Sequence, residues 1–174
     1  MYASTSRQPP VAPLYSPAER RRRDASIWTI VQGVLAPVQL VICIVSVALV
    51  SRFLLTGDGY AAATASIIAK TLALYAIMIT GSIWEREVFG RYLFAPAFYW
   101  EDVVSMLVLA LHTAYLAAIL FGLLDAREQM LLALVAYTTY FVNAGQFLFK
   151  LRQARLERSS AAGQSASGAG EVVR

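Results

Sequence analysis

The sequence predicts an all-α integral membrane protein, a four-helix bundle with disordered termini. Three observations carry this. Of 174 residues, 58% are apolar and 15% charged, with a mean hydropathy of +0.56, too apolar for a soluble domain of this length. Four apolar segments follow one another, each close to the ~20 residues that cross a bilayer. The cations gather in short runs beside those segments, so the net charge of +4 reads as a topology signal, and no nucleic-acid partner is expected.

Residues 1–18, rich in Pro and Ser and without apolar periodicity, predict a disordered tail. The membrane domain is expected over 19–156. It opens on Glu19-Arg20-Arg21-Arg22-Arg23-Asp24. The uncharged stretch after it, 25–51, is too long for a signal peptide and predicts a first span over about 27–54. Pro37 should kink this helix, and Gln32, Ala36, Gln39, Cys43 and Ser46 recur at helical spacing as its more polar stripe. Cys43 is the only cysteine, which excludes an intramolecular disulfide and a cysteine metal cluster.

Thr56-Gly57-Asp58-Gly59 is a turn, followed by a second span over about 60–84 with Lys70 near its middle. The third span, about 99–123, holds the only histidine, His112. Glu101, Ser105, Val108, His112 and Tyr115 are spaced 4, 3, 4 and 3 and share one face. Gly122 can end this helix, and Asp125 with Glu128 resembles a capping box for the next. The fourth span is expected over 128–149, with Thr139, Asn143 and Gln146 on one face and Lys150, Arg152, Arg155 and Arg158 at its exit. Residues 157–174, rich in Ser, Ala and Gly, predict a second disordered tail.

With the N-terminus inside, twelve cations (Arg7, Arg20 to Arg23, Arg86, Arg91, Lys150, Arg152, Arg155, Arg158 and Arg174) face in, against Arg52 and Arg127 outside. The positive-inside rule then puts both termini in the cytoplasm. Trp28, Trp84 and Trp100 all fall at the same inner boundary. Between the second and third spans lies WEREVFGRYLFAPAFYWED, residues 84–102. It carries Glu85, Glu87, Glu101 and Asp102 among seven aromatics, more than a plain connector needs. Internal repeats, glycine-rich phosphate loops, CxxC pairs, HExxH and GxSxG are absent from the sequence, so no metal site and no cofactor is expected.

The segments YAAATAS, KTLALYAIMITGSIWE, VFGRYLFAPAFYWEDV, ALHTAYL and QFLFKLRQAR, with the arginine run leading into SIWTIVQGVLAP, resemble the bacteriochlorophyllide 3-vinyl hydratase family of bacteriochlorophyll biosynthesis. The resemblance covers about residues 19–156. It implies an inner-membrane enzyme of phototrophic bacteria that adds water to the 3-vinyl group of chlorophyllide a or 3-vinyl bacteriochlorophyllide a. The product carries a 3-(1-hydroxyethyl) group. Magnesium enters only as part of this chlorophyllide-type tetrapyrrole, and neighbouring pigment-biosynthesis enzymes are potential partners beside the lipid bilayer.

Hydrating a vinyl group on a macrocycle is acid-catalysed addition. A proton goes to the terminal carbon, the ring delocalises the cation, and water attacks the carbon attached to the ring. Such a site needs a protonated acid, a base for water and an apolar slot. Glu101 and Asp102 are the preferred candidates, Glu101 as proton donor and Asp102 as the ionised partner; Glu85 and Glu87 complete the catalytic set. The structural alternative for all four is a solvated boundary paired with Arg86 and Arg91. Trp84, Phe94, Trp100, Tyr115 and His112 are the candidate pigment contacts, His112 as a magnesium ligand or as a plain interhelical bonder. Eleven helical residues between Glu101 and His112 span about 16 Å, too far for both to serve one bound ring as acid and metal ligand. The aromatics have the ordinary role of an interfacial belt as their alternative. A second function class is a small pigment-binding carrier or assembly factor, which would use the slot and His112 without an acid–base pair. A transporter would show inverted repeats, which are not visible.

Overall fold

The computed structural model describes the backbone of residues 14–171 and the side chains of residues 14–156. Five helices follow in order: α1 (Pro17–Ala25), α2 (Ile27–Thr56), α3 (Tyr60–Phe89), α4 (Tyr99–Phe121) and α5 (Ala126–Glu171). No strand occurs among the described residues. Four helical stretches are long and apolar enough to cross a membrane: Ile27–Thr56, Tyr60–Phe89, Tyr99–Phe121 and Ala126–Leu156. The chain is a multi-pass membrane protein of the all-α class.

The four spans form two hairpins, α2 with α3 and α4 with α5, which pack through α2 on α5 and α3 on α4. Glycines in the left-handed region close three of the helices: Gly57 after α2, Gly90 after α3 and Gly122 after α4. The expected box opens α5, with the Glu128 amide on Asp125 Oδ1 at 2.8 Å and the Asp125 amide on Glu128 Oε2 at 2.9 Å. α2 continues through Pro37. The polar positions that share a face are the ones that turn inward: Gln39, Cys43 and Ser46 on α2, and Glu101, Ser105, Val108, His112 and Tyr115 on α4. Leucines, valines and isoleucines on the outer faces stay exposed, as lipid-facing positions do.

Three boundaries differ from the sequence reading. α3 runs five residues past position 84, because nothing before Gly90 breaks a helix; Glu85, Arg86 and Glu87 therefore lie on its last turns. The backbone of α5 continues past position 156 to Glu171. At the N-terminus, Tyr15 is buried against Phe89 and Phe98, and Ser16 caps α1 in a reciprocal box with Glu19. The tail expected over 1–18 thus meets ordered structure by Tyr15; its earlier part, 1–13, and positions 172–174 lie outside the described residues.

Candidate active site

One end of the bundle gathers the last turns of α3, the loop over 90–98, the first turn of α4, the part of α5 around Asn143 to Ala154, and α1. Gly90 turns the chain out of α3 at a φ of 81°. Four residues on, Phe94 adopts a φ of 59°, and it is the sole non-glycine in the left-handed region among the described residues. That backbone twist aims two successive amides at two carboxyl groups. The Phe94 amide donates to Asp102 Oδ2 at 2.7 Å, and the Ala95 amide donates to Glu85 Oε1 at 2.8 Å. The chain then turns into α4 through the Phe98 amide on the Ala95 carbonyl. Phe98 offers no side-chain cap, so Glu101 and Asp102 are the acids that meet the positive end of the α4 dipole.

Glu85 and Asp102 thus lie side by side on consecutive amides, near enough for each carboxyl to act on the other. Carboxylates have only acceptors, so the two can hydrogen-bond to each other only when one of them carries a proton. Both groups are buried, at 3% and 7% exposure. Glu101, the neighbour of Asp102, turns away from this pair. Its Oε2 accepts from Lys150 Nζ at 2.6 Å, and Lys150 also bonds the Ala97 carbonyl and sits over the Phe98 ring. Asn143 Nδ2 donates to the Glu101 carbonyl at 2.9 Å, while Asn143 Oδ1 accepts from Ser105.

The aromatics of this region fall into two groups. Tyr15, Trp84, Phe89, Phe98 and Phe147 pack together as one cluster. Trp84 is further tied to α2 by its indole N–H on Thr29 Oγ1 at 2.9 Å. Phe94, Tyr99 and Trp100 instead form an exposed shelf, with ring centroids 5.7 Å and 5.4 Å apart in succession and Trp100 69% exposed. The shelf begins at Phe94, the residue whose amide holds Asp102.

Of the candidate residues, the structure brings Glu85, Asp102, Glu101, Phe94 and Trp100 together. Glu87 lies on the outer side of α3, accepting from Ser26 Oγ at 2.7 Å, beside a shallow groove of about 410 Å³ that it lines with Ile83, Arg86 and Tyr92. His112 and Tyr115 are fully buried between the helices, far along α4 from the shelf. His112 Nδ1 contacts the Val108 carbonyl at 2.9 Å, and its Nε2 has no hydrogen-bond partner. Arg86, expected to neutralise an acid, is engaged with Tyr92 through both its hydroxyl and its ring face. The cation that does pair is Lys150. It lies seven residues after Asn143, on the same helical face, which is the signal that could have found it. Tyr15 and Arg22, whose Nε donates to the Val88 carbonyl at 2.8 Å, brace the end of α3 from α1.

These features define a polytopic membrane protein with two neighbouring buried carboxyls and an aromatic shelf at one end of its bundle. The family model described as 2-vinyl bacteriochlorophyllide hydratase matches residues 15–153. The 2-vinyl bacteriochlorophyllide hydratase of Rhodobacter capsulatus is 63% identical over 147 residues, 84% of this chain and 85% of that protein. The one of Cereibacter sphaeroides is 59% identical over 155 residues, 87% of this chain and 96% of that protein. The chain belongs to the 2-vinyl bacteriochlorophyllide hydratase family and is a hydratase. No solved structure matches it.

Proposed function

We propose that this chain adds water to the vinyl group of a chlorophyllide-type tetrapyrrole, chlorophyllide a or the 3-vinyl bacteriochlorophyllide a, giving the 1-hydroxyethyl pigment. The vinyl position counted 3 here is the one counted 2 in the name of the relatives. The observation that carries the mechanism is the pair of buried carboxyls, Glu85 and Asp102, held on consecutive amides next to the exposed rings of Phe94, Tyr99 and Trp100.

The macrocycle lies on the shelf with its vinyl group over the pair. The pair's proton passes to the terminal vinyl carbon, breaking the C=C π bond and forming a C–H bond. The positive charge left on the adjacent carbon spreads into the ring, opposite the now fully ionised pair. Water attacks that carbon, a C–O bond forms, and the proton that water loses returns to the pair. Atoms balance, one water being consumed, and no electrons are transferred, so the reaction calls for no redox cofactor. A proton that returns to either carboxyl reaches the other across their own hydrogen bond, which resets the site. The role expected for Glu101 moves to Glu85–Asp102 in this reading, because Glu101 Oε2 is engaged with the Lys150 ammonium at 2.6 Å.

The site lies at the cytoplasmic surface of the bacterial inner membrane, with both termini inside. The distribution of cations, twelve against two, supports this orientation, and reporter fusions at positions 58 and 126 should read periplasmic. The reaction is tested by incubating the purified protein with chlorophyllide a and no added cofactor. A product heavier by one water supports the reading; unchanged pigment, with binding intact, refutes it.

A further inference from the structure

We infer that Lys150 is a positioning residue for the hydration reaction: its ammonium pairs with Glu101 and ties it to the 90–98 loop, and so leaves the site's one movable proton to the Glu85–Asp102 pair. This rests on the acid–base reading above.

Three carboxyl groups, Glu85, Glu101 and Asp102, lie at the joint of α3, α4 and the 90–98 loop. Without a cation their protons would distribute among three sites, and adjacent carboxyls disfavour multiple ionisation. Lys150 brings a cation into contact with them. Lys150 reaches Glu101 Oε2 at 2.6 Å, with side-chain exposures of 22% and 8%. At this depth the pair is screened far less than one in solvent, and removing one partner leaves a costly charge behind. Several other charged groups of the packed elements have partners of their own. On α3, Glu87 takes the Ser26 hydroxyl and Arg86 takes Tyr92. On α1, Arg22 caps the Val88 carbonyl, and Arg23 pairs with Asp24 over the Tyr15 ring. Arg91 of the loop and Arg152 and Arg155 of α5 are exposed.

The count then closes. Glu101 and Lys150 cancel, and the Glu85–Asp102 pair keeps one proton and one negative charge. Lys150 adds a second constraint by bonding the Ala97 carbonyl, two residues after the amide that holds Glu85. It does not face the shelf as a proton donor. It acts through Glu101 and the loop.

The test is a charge cycle read by kcat, KM and the pH profile of hydration, using Lys150→Gln, Glu101→Gln, the double variant and Lys150→Arg. Lys150→Gln leaves a negative charge beside the pair, which then grips its proton. We expect kcat to fall about ten- to hundredfold and the alkaline limb to move up by about one pH unit, with KM little changed. Glu101→Gln leaves a positive charge, so its alkaline limb should move down instead. The double variant removes both charges together and should return the limb and most of the lost kcat. Lys150→Arg should stay near the wild type. A latch without an electrostatic role would not produce limb shifts of opposite sign. If the double variant is as slow as Lys150→Gln while Glu101→Gln is active, Lys150 does not act through Glu101 and the inference is overturned. If Glu101→Gln and the double variant are both inactive, Glu101 is itself the proton donor and the underlying reading fails. Should Lys150→Gln not fold, the double variant decides against Glu101→Gln: equal or higher kcat supports the inference, lower kcat sinks it.

Discussion

Glu85→Gln is the sharpest perturbation available at the site. The substitution is nearly isosteric. The carboxamide oxygen can keep the 2.8 Å bond from the Ala95 amide, and its NH₂ can donate to Asp102 in place of the carboxyl proton. Burial, loop geometry and the aromatic shelf are therefore preserved, and only the transferable proton is lost. A positioned general acid contributes about 10²–10⁴-fold, or about 3–5 kcal/mol of barrier. We expect kcat to fall within that range with KM within about threefold of wild type, because the ground-state vinyl group carries no charge for the pair to bind. The assay is single-turnover conversion of chlorophyllide a by purified protein, with the hydrated product resolved by mass and bound pigment measured separately. Turnover above about a tenth of wild type in Glu85→Gln, together with abolition in Glu101→Gln, would refute the reasoning and return the acid to α4.

Two further outcomes separate backbone from side chain and core from site. At Phe94, glycine tolerates the φ of 59° and keeps the amide on Asp102, whereas alanine retains the left-handed penalty of about 1–2 kcal/mol without the ring that holds it in place. Phe94→Gly should raise KM and spare kcat, while Phe94→Ala should lower kcat as well; equal kcat in the two variants would remove the backbone from the account. His112→Ala should lower the melting temperature by ~5 °C or more through the cavity it leaves, with pigment affinity of the folded protein unchanged, since the ring is sealed at 0% exposure. Weaker pigment binding at an unchanged melting temperature would restore the magnesium-ligand role.

Much of this architecture is legible in the amino-acid order, and the exceptions have physical reasons. The face Glu101–Ser105–Val108–His112–Tyr115 could be read from its spacing, because in a bundle the polar positions of an apolar helix have nowhere to go but inward. Gly122 and the Asp125–Glu128 box fixed the α4–α5 turn by local chemistry alone. The end of α3 was harder. Trp84 looks like an interfacial boundary, yet Glu, Arg and Val continue a helix without a break, and only Gly90 closes it. That extension is what separates Glu85 from Glu87, one turned inward and one outward, which adjacency in sequence does not reveal. Lys150 was hidden for another reason. A lysine at the exit of a span reads the same whether it is solvated or paired, and the partner is decided by a packing between α4 and α5 across 49 positions. The left-handed Phe94 carries no sequence signal, since aromatic residues rarely take that conformation without surroundings that impose it.

Those surroundings explain why the site sits at this end of the bundle. A proton donor for carbon must be held acidic enough to give its proton and yet keep it near neutral pH, which solvent does not allow an ordinary carboxyl. Deep in the apolar bundle a carboxylate would lose its hydration at a large cost. At the joint of α3 and α4 both limits are avoided. The two carboxyls are withdrawn from solvent, yet each has a backbone amide, and the α4 dipole supplies positive potential at Asp102. The strain at Phe94 follows from the same requirement. Two amides one residue apart can serve carboxyls from two different helices only if the chain twists between the helices, and the left-handed φ provides that twist. In the reading proposed above, a flat pigment at the membrane surface would meet the exposed rings of Phe94, Tyr99 and Trp100, so the residue that strains the loop would also open the shelf on which the vinyl group rests.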